Sequence, residues 1–394
     1  MHSRPGILGG NPIFEKPLPF ASPTVPDFKE VEKGFESILE SGMLTKGKYL
    51  DQFEETAREV LEVPHALGVS NCTMGLFMLA KALGLTGEVI VPSFSFMATF
   101  HIIELAGLTP VFVDCERDTF TLDLNQAESA ITEKTSGILG VCIFGNPPNM
   151  KGLKKLARDN NLKLMMDSAH SFGSLFYGQP MGSFGDGEAF SASPTKLLAV
   201  GEGGLVTTRH ENVYEYIKMF REYGNNGSYD CEIAGINGRM SEFHALLGLT
   251  QLPKIQDLAE RRNKIARFYI ESLQNIPGID FQKTRDGCRS SYKDFAIVVD
   301  EVLFGMDRDQ LARCLEAENI STKKYFYPPG HKMTVYQKYA SRYNRESFNN
   351  TDYISERILI LPIYSHMNTE QATRVVEAVS RIYKYKDEIT NKLQ

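Results

Sequence analysis

The six cysteines of this 394-residue chain form no CxxC pair. Cys72, Cys115, Cys142, Cys231, Cys288 and Cys314 are scattered, which suggests neither a zinc knuckle nor a disulfide framework, and no metal site is expected. Reduced cysteines in a cytoplasmic enzyme are the simpler reading. No run approaches the roughly 18 apolar residues of a membrane span. The first residues, MHSRPGILGGNPIFEKPLP, lack the continuous apolar stretch of a signal peptide. No basic block or stripe stands out against 43 Lys+Arg, 49 Asp+Glu and a formal net charge of -6, so a nucleic-acid partner is not expected. No GxGxxG follows the first apolar strand, which argues against a nicotinamide dehydrogenase.

What is present is a regular alternation. Residues 1–30 are rich in proline and glycine and read as an extended segment lying over a neighbour. GLFMLAKALG (75–84) puts Leu76, Leu79, Ala80 and Leu83 on one helical face, with Gly84 suited to the C-terminal cap. EVIVP (88–92), TPVFVDC (109–115), GILGVCIFG (137–145) and LKLMMDS (162–168) read as strands, with helical stretches such as MKGLKKLARDNN between them. Nearly continuous apolar strands alternating with helices predict a mostly parallel sheet covered on both faces. Ligands then bind beyond the carboxyl ends of the strands. After Pro253 the texture changes. KIQDLAERRNKIARFYIESLQ reads as a long amphipathic helix bridging two domains. DFAIVVD, a helix opened by Asp307 with Gln310 in capping-box spacing, ERILILP and a last helix from Asn368 complete a small α+β domain. The expected organisation is an extended segment 1–30, a large domain 31–255 and a small domain 256–394, since the length exceeds that of one ordinary domain.

Four features carry chemistry. In SASPTKLLAVGEGG (191–204), Lys196 stands between a proline-containing turn and a glycine-rich loop, a setting no surface lysine needs. In MMDSAHSFG (165–173), Asp167 ends an apolar strand; an isolated strand-end carboxylate more often caps the next segment. VSNCTMGL (69–76) opens a helix whose free N–H groups suit phosphate, or is an ordinary N-cap by Ser70, Asn71 or Thr73. PSFSFMAT (92–99) places aromatics past a strand end, for the core or for a flat cofactor ring. Together they describe pyridoxal 5'-phosphate chemistry. The lysine condenses with the cofactor aldehyde, and a carboxylate keeps the pyridine nitrogen protonated. Helix N–H groups hold the phosphate, and an aromatic stacks on the ring.

These residues, with PVFVDCERDTFTLD, GSFGDGEAFSASPTKLLAVGEGG and GINGRMSE, make the chain resemble the sugar aminotransferases of the DegT/StrS group over nearly its whole length. The resemblance implies an α/β fold of pyridoxal-phosphate fold type I. It carries a mostly parallel seven-stranded sheet between helices and a small C-terminal α+β domain. It implies that Lys196 binds the cofactor covalently and that Asp167 partners the pyridine nitrogen. Phe96 and Ala169 should cover the two ring faces, and His170 should lie near the phenolic oxygen. Thr73, the Met74 backbone and Ser191 should hold the phosphate, joined by Asn237 from the other subunit of a homodimer with shared sites. Tyr327 and His331 of YFYPPGH, and the loop SGMLTKG (41–47), fall near the sugar nucleotide in that family. As a residue, His331 reads equally as a turn position after two prolines. Two positions depart from the common pattern: Ser193 stands where histidine is usual, and Cys72 where glycine or alanine is usual.

The implied activity is transfer of an amino group, from L-glutamate, to a keto sugar nucleotide. GLTGEVIVPSFSFMAT and GMDRDQLARCLEAENISTKKYFYPPGH look like enzymes acting at C4 of dTDP-4-keto-6-deoxyglucose. The alternatives are action at C3 of a keto sugar or on an aminocyclitol ketone. From another class comes a catalytically silent pyridoxal-phosphate-binding regulator. A related 3-dehydratase replaces the lysine by histidine, and Lys196 argues against it.

Overall fold

The computed structural model describes residues 4–342 and 347–393. Helix α1 (Phe28–Ser41) starts where the Asp27 carboxylate accepts the Lys29 N–H at 2.9 Å, and α2 (Lys48–Leu61) follows. The alternation then runs β1 (His65–Val69), α3 (Cys72–Ala82), β2 (Glu88–Pro92), α4 (Met97–Leu105) and β3 (Thr109–Val113). It continues through α5 (Leu124–Ser129), β4 (Thr135–Val141), α6 (Met150–Asp159) and β5 (Lys163–Asp167). A hairpin of β6 (Leu175–Phe176) and β7 (Gln179–Pro180) precedes β8 (Gly187–Ser191), β9 (Gly204–Thr208), α7 (Glu211–Phe220) and α8 (Glu242–Gln251).

Seven strands form one sheet in the order β1-β9-β8-β5-β4-β2-β3. β9 runs antiparallel to both its neighbours; the remaining pairings are parallel. The apolar strands are buried on both faces because helices cover both, and the side chains divide between two separate cores. The helix expected at 75–84 buries Leu76, Leu79, Ala80 and Leu83 but begins at Cys72, because the Asn71 side chain caps it. The strand expected at 137–145 stops at Val141. The backbone turns there, with Phe144 at φ 57°, and the Phe144 N–H donates to His170 Nδ1 at 3.1 Å.

The long helix α9 (Ile255–Leu273) leads into a second sheet of β10 (Ile279–Phe281), β12 (Phe295–Val299) and β13 (Ile358–Leu361), all antiparallel. Between them, β11 (Cys288–Arg289) pairs back with β6, forming a separate three-stranded sheet with the β6–β7 hairpin. Helices α10 (Glu301–Phe304), α11 (Arg308–Glu316), α12 (Asn349–Arg357) and α13 (Thr369–Lys384) surround the second sheet. Capping boxes open α11 (Asp307 with Gln310) and α13 (Asn368 with Gln371). The proline- and glycine-rich N-terminal segment lies along this second core. Leu8, Phe14 and Leu18 are buried in it, and the Glu318 carboxylate accepts the N–H groups of Gly6 and Ile13. Among the described residues no helix is long and apolar enough to cross a membrane.

Candidate active site

A cavity of about 530 Å³ lies beyond the carboxyl ends of β4, β5 and β8, where an open parallel sheet presents its ligands. One end of it is the start of α3. Asn71 stands in extended conformation, and its side-chain oxygen accepts the Met74 N–H at 2.9 Å. The Met74 amide is thereby committed to the cap, and the first-turn N–H groups of Cys72 and Thr73 remain at the positive end of the helix dipole. The glycine-rich turn makes this packing possible. A side chain on Gly204 would meet the Asn71 carbonyl carbon at 2.6 Å and the Cys72 nitrogen at 2.7 Å, so only hydrogen fits. Ser191, the last residue of β8, adds a hydroxyl that donates to Ser193 Oγ at 3.3 Å, and both serines line the cavity.

The floor comes from the end of β5. Asp167 is buried; its Oδ2 accepts the Thr99 hydroxyl at 2.7 Å and its Oδ1 accepts the Ala169 N–H at 3.1 Å. Burial pushes its carboxyl above the usual range, and these two bonds and the Lys196 charge only partly offset that. The Asp167 carboxylate faces the cavity, held by these two bonds. Next to it, His170 is also buried. Its Nδ1 accepts the Phe144 N–H, so the neutral ring carries its proton on Nε2. Burial first, then the positive charges of Lys196 and Lys293, hold this imidazole well below the ordinary histidine range.

Lys196 sits in the turn after β8, its N–H donating to the Ser193 carbonyl at 3.0 Å. The side chain opens onto the cavity and is otherwise surrounded by protein. Desolvation, and next the charge of Lys293, bring its pKa down to about 8, against an opposing pull from Asp294, Cys72 and Asp167. Such an amine is a nucleophile and a proton acceptor near neutral pH. Phe96 caps α4 from outside and keeps 48% of its surface exposed at the cavity, with the Phe326 ring 6.0 Å away.

Thr73, Met74, Phe96, Asp167, Ala169, His170, Ser191 and Lys196, separated by up to 123 positions of sequence at most, thus line a single cavity. The structure does not bring the other three expected residues there. Asn237 is exposed, bridged to Glu222 and accepting the Arg239 Nε–H at 3.1 Å. Tyr327 is 58% exposed, its ring 5.6 Å from the Arg308 guanidinium. His331 is buried; its Nδ1 lies 2.7 Å from Ser93 Oγ, its Nε2 lies 3.2 Å from Asp352 Oδ1, and its ring stacks on Phe348. The turn after the two prolines is therefore pinned to the end of β2 and to α12. Residues that sequence reasoning passed over complete the wall: Glu202, Lys293, Tyr325 and Phe326. A signal existed for one of them, since Lys293 and Asp294 are adjacent charges directly ahead of the wholly apolar β12.

An amine of lowered basicity, a lone buried carboxylate and a helix N-terminus beside two serine hydroxyls fit a phosphorylated aromatic aldehyde with a ring nitrogen. Comparison with known proteins agrees. Residues 27–380 match the model of the DegT/DnrJ/EryC1/StrS aminotransferase family. A dTDP-4-amino-4,6-dideoxy-D-glucose transaminase of Escherichia coli is 33% identical over 365 residues, 92% of this chain and 98% of the relative. A dTDP-3-amino-3,6-dideoxy-alpha-D-galactopyranose transaminase of Aneurinibacillus thermoaerophilus is 32% identical, covering 90% of this chain and 95% of its own. Among solved structures, DesI in the presence of its TDP-sugar product matches with a TM-score of 0.91 at 32% identity, over 98% of each chain.

Proposed function

The chain belongs to the DegT/DnrJ/EryC1/StrS aminotransferase family and is a pyridoxal-phosphate-dependent sugar aminotransferase acting on nucleotide sugars; from that premise we propose which residues do the work and on which sugar. The acceptor is a dTDP-linked 4-keto-6-deoxyhexose, aminated at C4, with L-glutamate as donor. The likeness to the C4-named relative and to DesI over nearly the whole chain supports this. The C3-named relative, at almost equal identity, keeps amination at C3 as the second reading. The enzyme works in the cytoplasm, a reading in keeping with six unpaired cysteines.

When bound, pyridoxal phosphate supplies an aldehyde that condenses with amines and a protonated ring that accepts the electron pair released at the neighbouring carbon. The protein's part follows from the cavity. Lys196 would hold the cofactor and, as a free amine, would take up and return the proton at the reacting carbon. Asp167, fixed by Thr99 and Ala169, holds the proton on the ring nitrogen. His170 would offer its Nε2–H to the cofactor, since its Nδ1 is occupied by the Phe144 N–H. The Cys72 and Thr73 N–H groups, with the Thr73 and Ser191 hydroxyls, hold the phosphate. Phe96 and Ala169, which line the cavity, would cover the ring and exclude water from it.

Asn237 faces away from its own chain's cavity, on a stretch bordered by the exposed apolar side chains of Met43 and Leu44 through the Thr45–Ser241 bridge. That arrangement supports a two-fold dimer in which the partner subunit's Asn237 reaches the phosphate. The single observation that carries the function is the meeting of Lys196, Asp167 and the α3 N-terminus in one cavity. The test is a panel of 4-keto and 3-keto sugar nucleotides incubated with L-glutamate, the products identified by mass spectrometry and NMR. Amination at C4 is expected. Turnover confined to 3-keto sugars moves the reading to C3, and turnover of a cyclitol ketone alone overturns the nucleotide-sugar assignment.

A further inference from the structure

The cavity contains a second lysine that the chemistry above does not use. Lys293 is 2% exposed, and its Nζ lies 2.8 and 3.0 Å from the two carboxylate oxygens of Asp294, itself 2% exposed. A buried ion pair of this kind adds little net stability and is often replaceable by apolar residues of the same volume. Its placement asks for another reason.

The stretch that carries it is laced to the catalytic floor. Ser291 Oγ donates to the His170 carbonyl at 2.6 Å, and the Lys293 N–H donates to the Phe144 carbonyl at 2.9 Å. Phe144 in turn donates to the His170 ring. From the other side, Arg262, 2% exposed, donates to the carbonyls of Tyr292 and Lys293 at 3.3 and 3.1 Å. The Lys293 ammonium is therefore fixed at both backbone and tip, and it stands 5.5 Å from the Tyr325 ring that walls the cavity. Asp294 pairs with Lys293, while Arg262 is held by Ser365 and by the two backbone carbonyls.

The geometry points to Lys293 as a positioning residue for Lys196: its fixed charge, trimmed by Asp294, disfavours a proton on the Lys196 nitrogen and keeps that nitrogen ready to receive one from the substrate. The inference rests on Lys196 as the lysine that binds the cofactor. A neighbouring cation is a general way to activate a lysine. The other titratable groups facing Lys196 are Cys72 on α3, Asp167 and His170 after β5, Glu202 in the glycine turn and Tyr325 in the wall. Burial first, then the Lys293 charge, lowers the Lys196 pKa while Asp294 opposes, and burial and the Lys196 and Lys293 charges lower that of His170.

The test uses the holoenzyme and the visible absorbance band of its bound cofactor, whose titration follows the proton on the Lys196 nitrogen. Lys293→Met removes the cation and is expected to move that midpoint up by about one pH unit. Asp294→Asn leaves the cation and is expected to move it down. Lys293→Arg restores the charge and should return the midpoint towards wild type. Because either single neutral variant leaves a buried charge unpaired, Lys293→Met/Asp294→Asn serves as the well-folded control. It should shift up, by less than Lys293→Met alone. The acid limb of the pH profile for the L-glutamate half-reaction should move with the band. Midpoints that stay in place, or shifts of one sign in all variants, overturn the inference while Lys196 keeps its role. Absence of a lysine-linked band on Lys196 in the wild type overturns both.

Discussion

The floor of the cavity and its outer wall are built differently. The floor comes from ends of strands in one sheet: Asp167 closes β5, Ser191 closes β8, and Lys196 follows in the next turn. Each group is fixed by bonds within a few residues or to the adjoining helix, as with Asp167 to Thr99 and Ala169. Apart from Glu202, the wall comes from chain more than 90 residues later, and Lys293 in it is held by long-range bonds to Phe144 and Arg262. A floor made by strand ends performs one chemistry. In the account proposed above, a wall assembled from distant segments adjusts that chemistry.

That contrast can be broken by experiment, and the largest effect belongs to the floor. Lys196→Ala should lose turnover almost entirely, since it removes both the covalent anchor and the proton carrier, while retaining weak cofactor binding through the phosphate site. Steady-state and single-turnover rates measure the first, and equilibrium dialysis the second. Asp167→Asn comes next, with a rate loss of about 100- to 1,000-fold, the range for losing one preorganised electrostatic contact, and little change in thermal midpoint. A near-normal rate would show that this carboxylate does not face the ring nitrogen.

Asn237→Ala tests whether the floor is complete within one chain. Losing a charge-assisted bond to phosphate costs about 1.5–3 kcal/mol, so the variant should be impaired. Mixed with Lys196→Ala chains, it should form heterodimers with one doubly damaged and one intact site, and partial activity should return. No recovery despite proven subunit exchange places Asn237 outside the partner's site. The smallest effect is expected at the cavity mouth: Phe96→Ala should weaken cofactor binding by about 1–3 kcal/mol, as for other aromatic faces stacked on a flat ring. Unchanged affinity would assign Phe96 to contacts with Phe326 alone.

The same division decides what the sequence could reveal. Strand-end residues sit in short motifs whose local chemistry is readable: an apolar run closed by Asp167, a lysine set before a glycine turn, small polar residues opening α3. The sheet, the long helix α9 and the Asp307–Gln310 capping box rest on similarly local patterns. The wall was not readable because its members acquire meaning only through partners far along the chain. Lys293 looks like any charge ahead of a strand until Asp294, Arg262 and Phe144 fix it; outside the cavity, His331 likewise looks like a turn residue until Ser93 and Asp352 hold it. Even within a motif, the division of labour needed coordinates. The Met74 amide, expected on the phosphate, donates to the Asn71 side chain at 2.9 Å.

Two lysines open onto one cavity, one from the floor and one from the wall, and a single measurement distinguishes them. Borohydride reduction of the yellow holoenzyme, followed by peptide mapping, fixes the cofactor to whichever lysine bears it. A phosphopyridoxyl group on Lys196 alone is the predicted result. The same group on Lys293, or on any other lysine, would contradict the assignment of catalysis to the strand-end floor.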